Sequence, residues 1–403
     1  MRRVVVTGVG TISPIGNSFP EFSRSLLAGI SGVGQITHFS PDSSGVKIAA
    51  EVKHYDEAAY FNERQLTQLD RFAQFTLISA DEAISDAGLV FDEPTSLRTT
   101  VVHGSSIGGQ NTQEINYRYL YEDKIKRFHP FTIPKLMPSA GASHISMRHG
   151  IKGPVFSTSS ACASAAHAIG LAFMLIRTGI ADTAVAGGAE ACITYGSMKG
   201  WASLRITAAD ACRPFSAGRG GMVIGEGAAS LILEDLDKAQ ARGAKIYAEL
   251  VGFGMSADAG ALVQPDVDGA VRSMRMALND AGLCPEQVQY INAHGTGTPQ
   301  NDPSETRAIR EVFGHHASKL AVSSSKSMHG HTLGAASALE SLSTIVALTE
   351  QRAPPTINYL GADPTCDLDY VPNVARQLPI EAALNNSFAF GGLNATLAFK
   401  RFS

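Results

Sequence analysis

The 403-residue sequence lacks paired cysteines and a large excess of charge of either sign. Its five cysteines are odd in number, widely spaced and without a C-x-x-C pair. This excludes a disulfide framework or a zinc knuckle and favours a reducing, cytoplasmic compartment. The net charge of −4 gives no compositional support for binding nucleic acid or an anionic membrane.

Long hydrophobic segments are also lacking, because no apolar run is long enough to span a bilayer. The N-terminal stretch MRRVVVTGVG has no long apolar core and no cleavage site, so it predicts a first strand rather than a signal peptide. The content of 44% hydrophobic and 17% charged residues is typical of a soluble globular enzyme with a large interior.

An internal repeat is present. Residues 82–109 and 276–299 each contain a helix end, Asp-Ala-Gly-Leu, an acidic linker, a β-branched strand and then His-Gly. The stretches RRVVVTGVG and YAELVGFGM also match loosely. Repetition over this distance indicates two related halves rather than a solenoid. Alternating strands and helices make each half α/β, and the predicted halves are residues 1–250 and 251–403.

Cys162 stands at the start of a predicted buried helix that spans 161–177 and is surrounded by Ser, Ala and Gly. Free N–H groups at a helix N-terminus would lower the pKa of a thiol and favour a nucleophilic thiolate. Small neighbours would let an acyl chain reach the sulfur. The alternative is a small buried hydrophobe, which is the interpretation for the other four cysteines. Residues 323–351 have the same form and predict the matching helix.

Histidines provide candidate partners for this thiol. His294 ends a strand before a Gly/Thr turn, and His329 and His331 lie close to Lys326 and Glu340. A histidine at a strand end beside glycine-rich turns usually faces a cleft and handles protons near neutral pH. His329 and His331 could instead bind a metal ion. An H-x-H pair without a nearby cysteine or carboxylate pattern is weak support for that, so no metal site is predicted.

Four motifs carry a family resemblance. SSACASA, NAHGTGTPQND, KSMHGHTLGAASALE and NSFAFGGLNA resemble, in this order, the β-ketoacyl-acyl carrier protein synthases of the KAS II type across essentially the whole chain. The resemblance implies a thiolase-like α/β fold, in which two pseudo-twofold-related halves form α-β-α-β-α layers. The Cys-His-His set differs from Cys-His-Cys in thiolases and from Cys-His-Asn in KAS III enzymes.

The resemblance implies a decarboxylative Claisen condensation that yields 3-oxoacyl-acyl carrier protein. Cys162 would accept the acyl chain as a thioester, stabilised by an oxyanion hole of the Cys162 and Phe390 backbone N–H groups. His294 and His331 would donate hydrogen bonds to the enolate of the decarboxylated malonyl group. Lys326 and Glu340 would form an ion pair that orders the histidine loop. No cofactor is implied, because the phosphopantetheine arm belongs to the carrier protein.

Further residues are assigned by the same resemblance: Phe388 and Phe390 to a gate, Thr296, Thr298 and Asp302 to the pantetheine tunnel and the turn after His294, and Ile107 and Trp201 to the acyl pocket. The gate sequence SFAFGGLN departs from the usual S-F-G-F-G-G-T-N at Ala389 and Leu393. Because alanine restricts the backbone more than glycine does, a less mobile gate is predicted. Trp201, where the family often has phenylalanine, would narrow or redirect the pocket.

The implied partner is an acidic acyl carrier protein, steered by a basic rim of Lys126, Arg127, Arg205 and Arg64. This rim is thinner than usual. Together with HGTGTPQND and CDLDYVPNVAR it resembles the specialised branch of nodulation protein E and the aryl-polyene synthases, which elongates polyunsaturated or unusual acyl chains. The implied assembly is a homodimer, or a heterodimer with a related synthase or chain-length factor.

Two alternative functions remain. A catalytic subunit could be active only with a partner that resembles a chain-length factor; such factors themselves typically lose the cysteine that is present here. A serine hydrolase is the remote alternative, because GSSIG at 104–108 fits G-x-S-x-G, although no Ser, Asp, His order is otherwise marked.

Overall fold

The computed structural model describes residues 1–40, 44–124 and 126–402. The β-strands within these ranges are β1 Val4–Ile12, β2 Gly34–Gln35, β3 Ile48–Ala49, β4 Thr99–Gly104, β5 Val155–Phe156, β6 Thr183–Glu190, β7 Gly227–Asp235, β8 Ala248–Ala257, β9 Tyr290–Asn292, β10 Ala321–Ser323, β11 Arg352–Ala353, β12 Arg376–Gln377, β13 Ala382–Ala389 and β14 Leu393–Lys400.

The α-helices of the same ranges are α1 Phe19–Ala28, α2 Glu63–Leu66, α3 Arg71–Asp86, α4 Glu93–Leu97, α5 Gln110–Tyr121, α6 Thr132–Leu136, α7 Ala140–His149, α8 Ser164–Arg177, α9 Tyr195–Ser203, α10 Leu236–Ala241, α11 Val267–Ala281, α12 Asn301–Phe313, α13 Lys326–His329 and α14 Ala336–Glu350. Among these helices, none combines the length and the apolar character that crossing a membrane requires.

The main sheet has the strand order β10-β9-β13-β14-β8-β1-β7-β6-β4-β5. At its centre β1 and β8 pair antiparallel, with Val4 opposite Leu250. Moving outward on either side, two antiparallel pairings are followed by two parallel ones. Each side therefore repeats the other about a pseudo-twofold axis, which confirms the two-halved α/β fold. The predicted boundary at residue 250 falls inside β8, the first strand of the second set.

Matching contacts explain why the sequence repeats. The aspartates of the two Asp-Ala-Gly-Leu segments, Asp86 and Asp280, each accept a hydrogen bond of 3.0 Å from a backbone N–H of β1 or β8. On the same strands a Cβ at Gly8 would lie 2.2 Å from a carbonyl oxygen of α3, and one at Gly252 would lie 2.4 Å from a carbonyl oxygen of α11. Only glycine permits this close approach of strand and helix.

Helices enclose and separate the two halves of the sheet. Helix α3 packs on β1, β6 and β7, and α11 packs on β8 and β14. Between the halves, α8 and α14 pack against each other and contact strands of both. This is the predicted α-β-α-β-α layering. Helix α14 is buried from Ala336 to Leu348, and α8 is mostly buried but exposes Met174. Such enclosure requires apolar or small side chains over most of the helix circumference, which is the pattern of both segments.

Candidate active site

Cys162 lies in a turn two residues before α8, rather than inside the helix predicted for 161–177. The preceding Ala161 has a φ of +48°, a left-handed conformation that is uncommon for a residue with a side chain. Ser164 supports the turn, since its Oγ accepts from the Ser160 N–H at 2.9 Å and donates to the Ala161 carbonyl at 2.6 Å. Because of this strained backbone the helix begins only at Ser164, and the thiol lies just before its N-terminus.

Burial dominates the chemistry of this thiol. It raises the pKa of Cys162 to about 11, because a buried thiolate loses its hydration. The charge of Lys326 and the backbone N–H groups of Phe390 and Cys162 act in the opposite direction and are the smaller effects. The prediction of a net lowering of the pKa of this thiol is therefore wrong, although the backbone N–H groups do act in the predicted direction. In the free protein the sulfur is protonated at neutral pH.

Two histidines from the second half reach this thiol. The Nε2 atom of His331 lies 3.1 Å from the Sγ atom of Cys162. The rings of His294 and His331 are nearly perpendicular, with centroids 5.4 Å apart. Burial and the charge of Lys326 hold the pKa of both imidazoles well below the usual range. Both rings are therefore neutral at physiological pH.

The neighbours of each ring assign its tautomer. The backbone N–H of Leu333 donates to Nδ1 of His331 at 3.2 Å. The ammonium of Lys326 lies 3.4 Å from Nδ1 of His294. A neutral imidazole that accepts at Nδ1 carries its proton on Nε2. Both histidines therefore point an N–H donor, rather than a basic nitrogen, toward the space in front of the sulfur.

Lys326 is fully buried beneath His294. Its ammonium donates to the carboxylate of Glu340, with which it forms an ion pair, and to the carbonyl of His294 at 2.6 Å. Burial raises the pKa of Glu340, and the lysine charge opposes that rise. The pair fixes the ammonium where it can donate to the imidazole.

A cavity of about 370 Å³ leads from Cys162 toward the protein surface. Six residues of the predicted gate, tunnel, pocket and basic rim line it, namely Thr296, Thr298, Phe388, Phe390, Trp201 and Arg205. The Trp201 ring leans on Phe390, with centroids 6.4 Å apart and planes inclined by 35°. The cavity can therefore admit a mainly apolar substrate with its reactive end at the thiol.

Comparison with known proteins decides the family. Residues 1–239 match the N-terminal domain of β-ketoacyl synthases, and residues 247–360 match the C-terminal domain. The chain belongs to the β-ketoacyl synthase family. A 3-oxoacyl-[acyl-carrier-protein] synthase 2 from Synechocystis sp. is 44% identical over 100% of this chain and 98% of its own length. Nodulation protein E from Rhizobium sp. is 46% identical over 99% of both chains.

A solved structure supports the same conclusion for the fold. The ishigamide ketosynthase/chain length factor superposes on this β-ketoacyl synthase with a TM-score of 0.96. The two chains are 34% identical, and the match covers 100% of each.

Some residues predicted for substrate or carrier binding do not line the cavity of this β-ketoacyl synthase. Asp302 is buried, and its carboxylate accepts from the Gly297 N–H at 3.2 Å, so it supports the turn after His294 as predicted, although it does not line the tunnel. Ile107 does not line the cavity, because its turn after β4 carries it to the surface. Lys126, Arg127 and Arg64 are exposed and lie outside the cavity lining.

His329 also lies outside the cavity lining. It is fully buried, and burial lowers its pKa to about 3. Its Nδ1–H donates to the Gly330 carbonyl at 2.8 Å, and its Nε2 accepts from Ser325 at 3.0 Å. His329 is therefore a core histidine with both ring nitrogens hydrogen-bonded, and it stabilises the loop that leads to His331.

Cys162, His294 and His331 have the spacing of a metal site, since one donor atom of each lies within 4.8 Å of the others. A metal at Nε2 would require the imidazole proton on Nδ1, where metal-binding histidines usually donate to an acceptor. Here both Nδ1 atoms face donors instead. The three side chains therefore do not fit a resident metal ion.

Several cavity residues were missed by sequence reasoning. Leu262, Val263 and Pro265 line the cavity from the segment after β8, and the Leu262 carbonyl accepts from the Gly391 N–H of the gate at 2.7 Å. These residues have no motif, since single apolar side chains in a loop carry no periodic pattern.

The serine of GSSIG, Ser106, hydrogen-bonds to the buried carboxylate of Glu190 rather than to a histidine.

Proposed function

We propose that the chain catalyses the condensation of an acyl thioester with malonyl-acyl carrier protein to give 3-oxoacyl-acyl carrier protein. The observation that carries this function is the placement of two Nε2–H donors in front of a buried thiol at the end of a mainly apolar cavity. A relative of 44% identity is named 3-oxoacyl-[acyl-carrier-protein] synthase 2.

In the first half-reaction Cys162 attacks the thioester carbonyl of the acyl carrier protein. A carbon–sulfur bond to Cys162 forms, the bond to the pantetheine sulfur breaks, and the thiol proton leaves with the departing carrier thiol. The backbone N–H groups of Cys162 and Phe390 form the oxyanion hole in this proposal. Both lie close enough to the sulfur to lower its pKa, which supports that role.

In the second half-reaction a malonyl-carrier thioester loses carbon dioxide, and its enolate carbon attacks the acyl group on Cys162. The bond to Cys162 breaks, the leaving thiolate takes a proton from water, and the product is two carbons longer. His294 and His331 donate their Nε2–H groups to the oxygen on which the enolate charge develops. Lys326 keeps His294 in the donor tautomer. None of these steps requires a metal or redox cofactor of the enzyme.

The carrier protein delivers its phosphopantetheine arm through the cavity past Thr296 and Thr298. Arg205 is exposed beside the opening, where it can meet an acidic carrier surface or the phosphate. In this proposal Arg205 contributes first to carrier recognition, and Arg64, Lys126 and Arg127 extend the basic rim. Five free cysteines fit an enzyme of the reducing cytoplasm.

A second chain is part of the proposed functional unit. Large apolar side chains are exposed on α5, at the start of α6 and on the edge strand β5, and include Tyr119, Tyr121, Phe131, Ile133 and Phe156. A surface of this kind marks a protein interface. The fold neighbour described as a ketosynthase/chain length factor favours a related subunit, and nodulation protein E favours the specialised branch with unusual acyl chains.

One experiment tests the function and its partner-dependent alternative. The purified chain is incubated with acyl- and malonyl-acyl carrier protein, alone and with a co-expressed chain-length-factor-like subunit, and the carrier-bound products are weighed. A 3-oxoacyl product from the chain alone supports a self-sufficient synthase. A product only with the added subunit supports the alternative. No product in either case, despite acylation of Cys162, contradicts the condensing function.

A further inference from the structure

Glu190, the last residue of β6, is a fully buried carboxylate that the proposed mechanism does not use. Its hydrogen-bond partners within residues 1–40, 44–124 and 126–402 are backbone N–H and serine hydroxyl groups. They belong to two turns, the one after β4 and the one before α14, and none is a lysine or arginine side chain. It accepts from the backbone N–H groups of Ser106 at 2.8 Å and Gly334 at 3.0 Å, and from the hydroxyl of Ser105 at 3.0 Å.

The pseudo-twofold symmetry relates the turn that contains Gly334 to the turn that contains Cys162. Cys162 and Gly334 each lie two residues before a central helix, α8 or α14. The residue before each, Ala161 or Leu333, has a left-handed φ of +48° or +47°. Gly334 is thus the second-half counterpart of the nucleophile, and Glu190 occupies the space in front of it. A Cβ at position 334 would lie 2.6 Å from the Glu190 carboxylate.

This counterpart turn also carries a proposed catalytic histidine. The Leu333 N–H donates to Nδ1 of His331, and the next N–H along the chain, that of Gly334, donates to Glu190. Two successive backbone donors are therefore fixed, one by the imidazole and one by the carboxylate. Displacing Gly334 would turn the Leu333 N–H away from Nδ1. The His331 ring would then no longer be held in one orientation with its proton on Nε2.

We propose that Glu190 is a positioning residue for His331, because it clamps the turn of Leu333 and Gly334 to the turn after β4. A carboxylate is suited to this task, since its two oxygens accept several donors at once. An amide has only one accepting oxygen and would direct its own N–H groups at the Ser106 or Gly334 donors. The inference rests on the proposed function, in which His331 donates to the substrate through Nε2.

The test compares Glu190→Gln with Glu82→Gln. Glu82 is a matched control, because its carboxylate also accepts two backbone N–H groups, those of Thr11 at 2.8 Å and Phe19 at 2.7 Å, away from the cavity. For Glu190→Gln we expect kcat for condensation to fall about 10- to 100-fold, with a change in KM below about threefold. For Glu82→Gln we expect wild-type rates within about twofold.

A second readout does not depend on the proposed substrates. The rate at which iodoacetamide alkylates Cys162 reports whether the His331 donor still faces the sulfur. We expect at least about threefold slower alkylation at pH 8 in Glu190→Gln and no change in Glu82→Gln. Wild-type alkylation and condensation in Glu190→Gln would overturn the inference, as would losses in both variants that follow their melting temperatures. If the wild type does not condense either alone or with the added chain-length-factor-like subunit, the proposed function fails, while alkylation still decides the role of Glu190.

Discussion

The Nε2 atom of His331 lies 3.1 Å from the Sγ atom of Cys162, while the Leu333 N–H occupies Nδ1 of the same ring. This relationship makes His331 a hydrogen-bond donor rather than a general base. A glutamine amide can place an N–H near the position of Nε2, whereas an asparagine amide is too short. We therefore expect His331→Gln to retain at least about tenfold more condensation activity than His331→Asn.

The measurement for this prediction is the initial rate of 3-oxoacyl product formation by both variants, with Cys162 acylation followed in parallel. Equal activities, or a better rate with Asn, would contradict the donor role. A variant that is not acylated at all would show instead that His331 acts in the first half-reaction.

The reactivity of Cys162 should depend steeply on pH. Because burial raises the pKa of the thiol to about 11, the thiolate fraction near neutral pH is small and rises with pH. We expect the alkylation rate to rise about tenfold per unit between about pH 7 and pH 9. Both histidines are neutral at the pH of an ordinary imidazole pKa, so a series extended to about pH 6 should show no step near about pH 6.5. Iodoacetamide kinetics, with glutathione as reference, check this; a plateau already reached at pH 8 would refute it.

Removing Lys326 from its buried pair with Glu340 should lower both stability and activity, for two different reasons. Lys326→Met leaves an unpaired buried carboxylate, and we expect the free energy of unfolding to fall by about 3–5 kcal/mol. Adding Glu340→Leu removes that charge and should restore most of the stability. Condensation should stay low in both variants, because Nδ1 of His294 has lost its donor. Urea unfolding and product assays distinguish the two effects, and recovery of activity in the double variant would disprove the tautomer role of Lys326.

Trp201 should limit which acyl chains are accepted. Its ring lines the cavity and leans on Phe390, so Trp201→Phe widens the space beside the gate. We expect acylation by long or branched chains to increase about tenfold relative to short chains. Tyr195→Phe, on the same helix but outside the cavity lining, serves as the control. An equal change for all chain lengths in the acylation assay would show that Trp201 does not select chains.

Much of the architecture could be predicted from the sequence, because its signals are local and repeated. The two Asp-Ala-Gly-Leu segments fix equivalent helix–strand contacts through Asp86 and Asp280, so the repeat predicted two halves. The turn and helix motifs also predicted which segments lie at the centre. Cys162 and His331 are 169 residues apart, and the family resemblance rather than any local rule brought them together.

The remaining features depend on tertiary structure. The left-handed Ala161 shortened the predicted helix, and no composition rule marks an alanine for that conformation. The pKa of Cys162 was predicted in the wrong direction, because a helix terminus can be seen in the sequence while the depth of burial cannot. Glu190 went unnoticed, since a single glutamate at a strand end has no motif. Ile107 was expected in the acyl pocket, but the turn held by Glu190 carries it to the surface.

The central claim is that Cys162 is the acyl acceptor. The most direct test is the intact mass of the wild type and of Cys162→Ala after incubation with acyl carrier proteins that bear saturated and polyunsaturated chains. We predict the mass of one acyl group on the wild type and none on the variant, with the preferred chain indicating the pathway. An equal adduct on both proteins would place the acyl group on another residue and contradict the account.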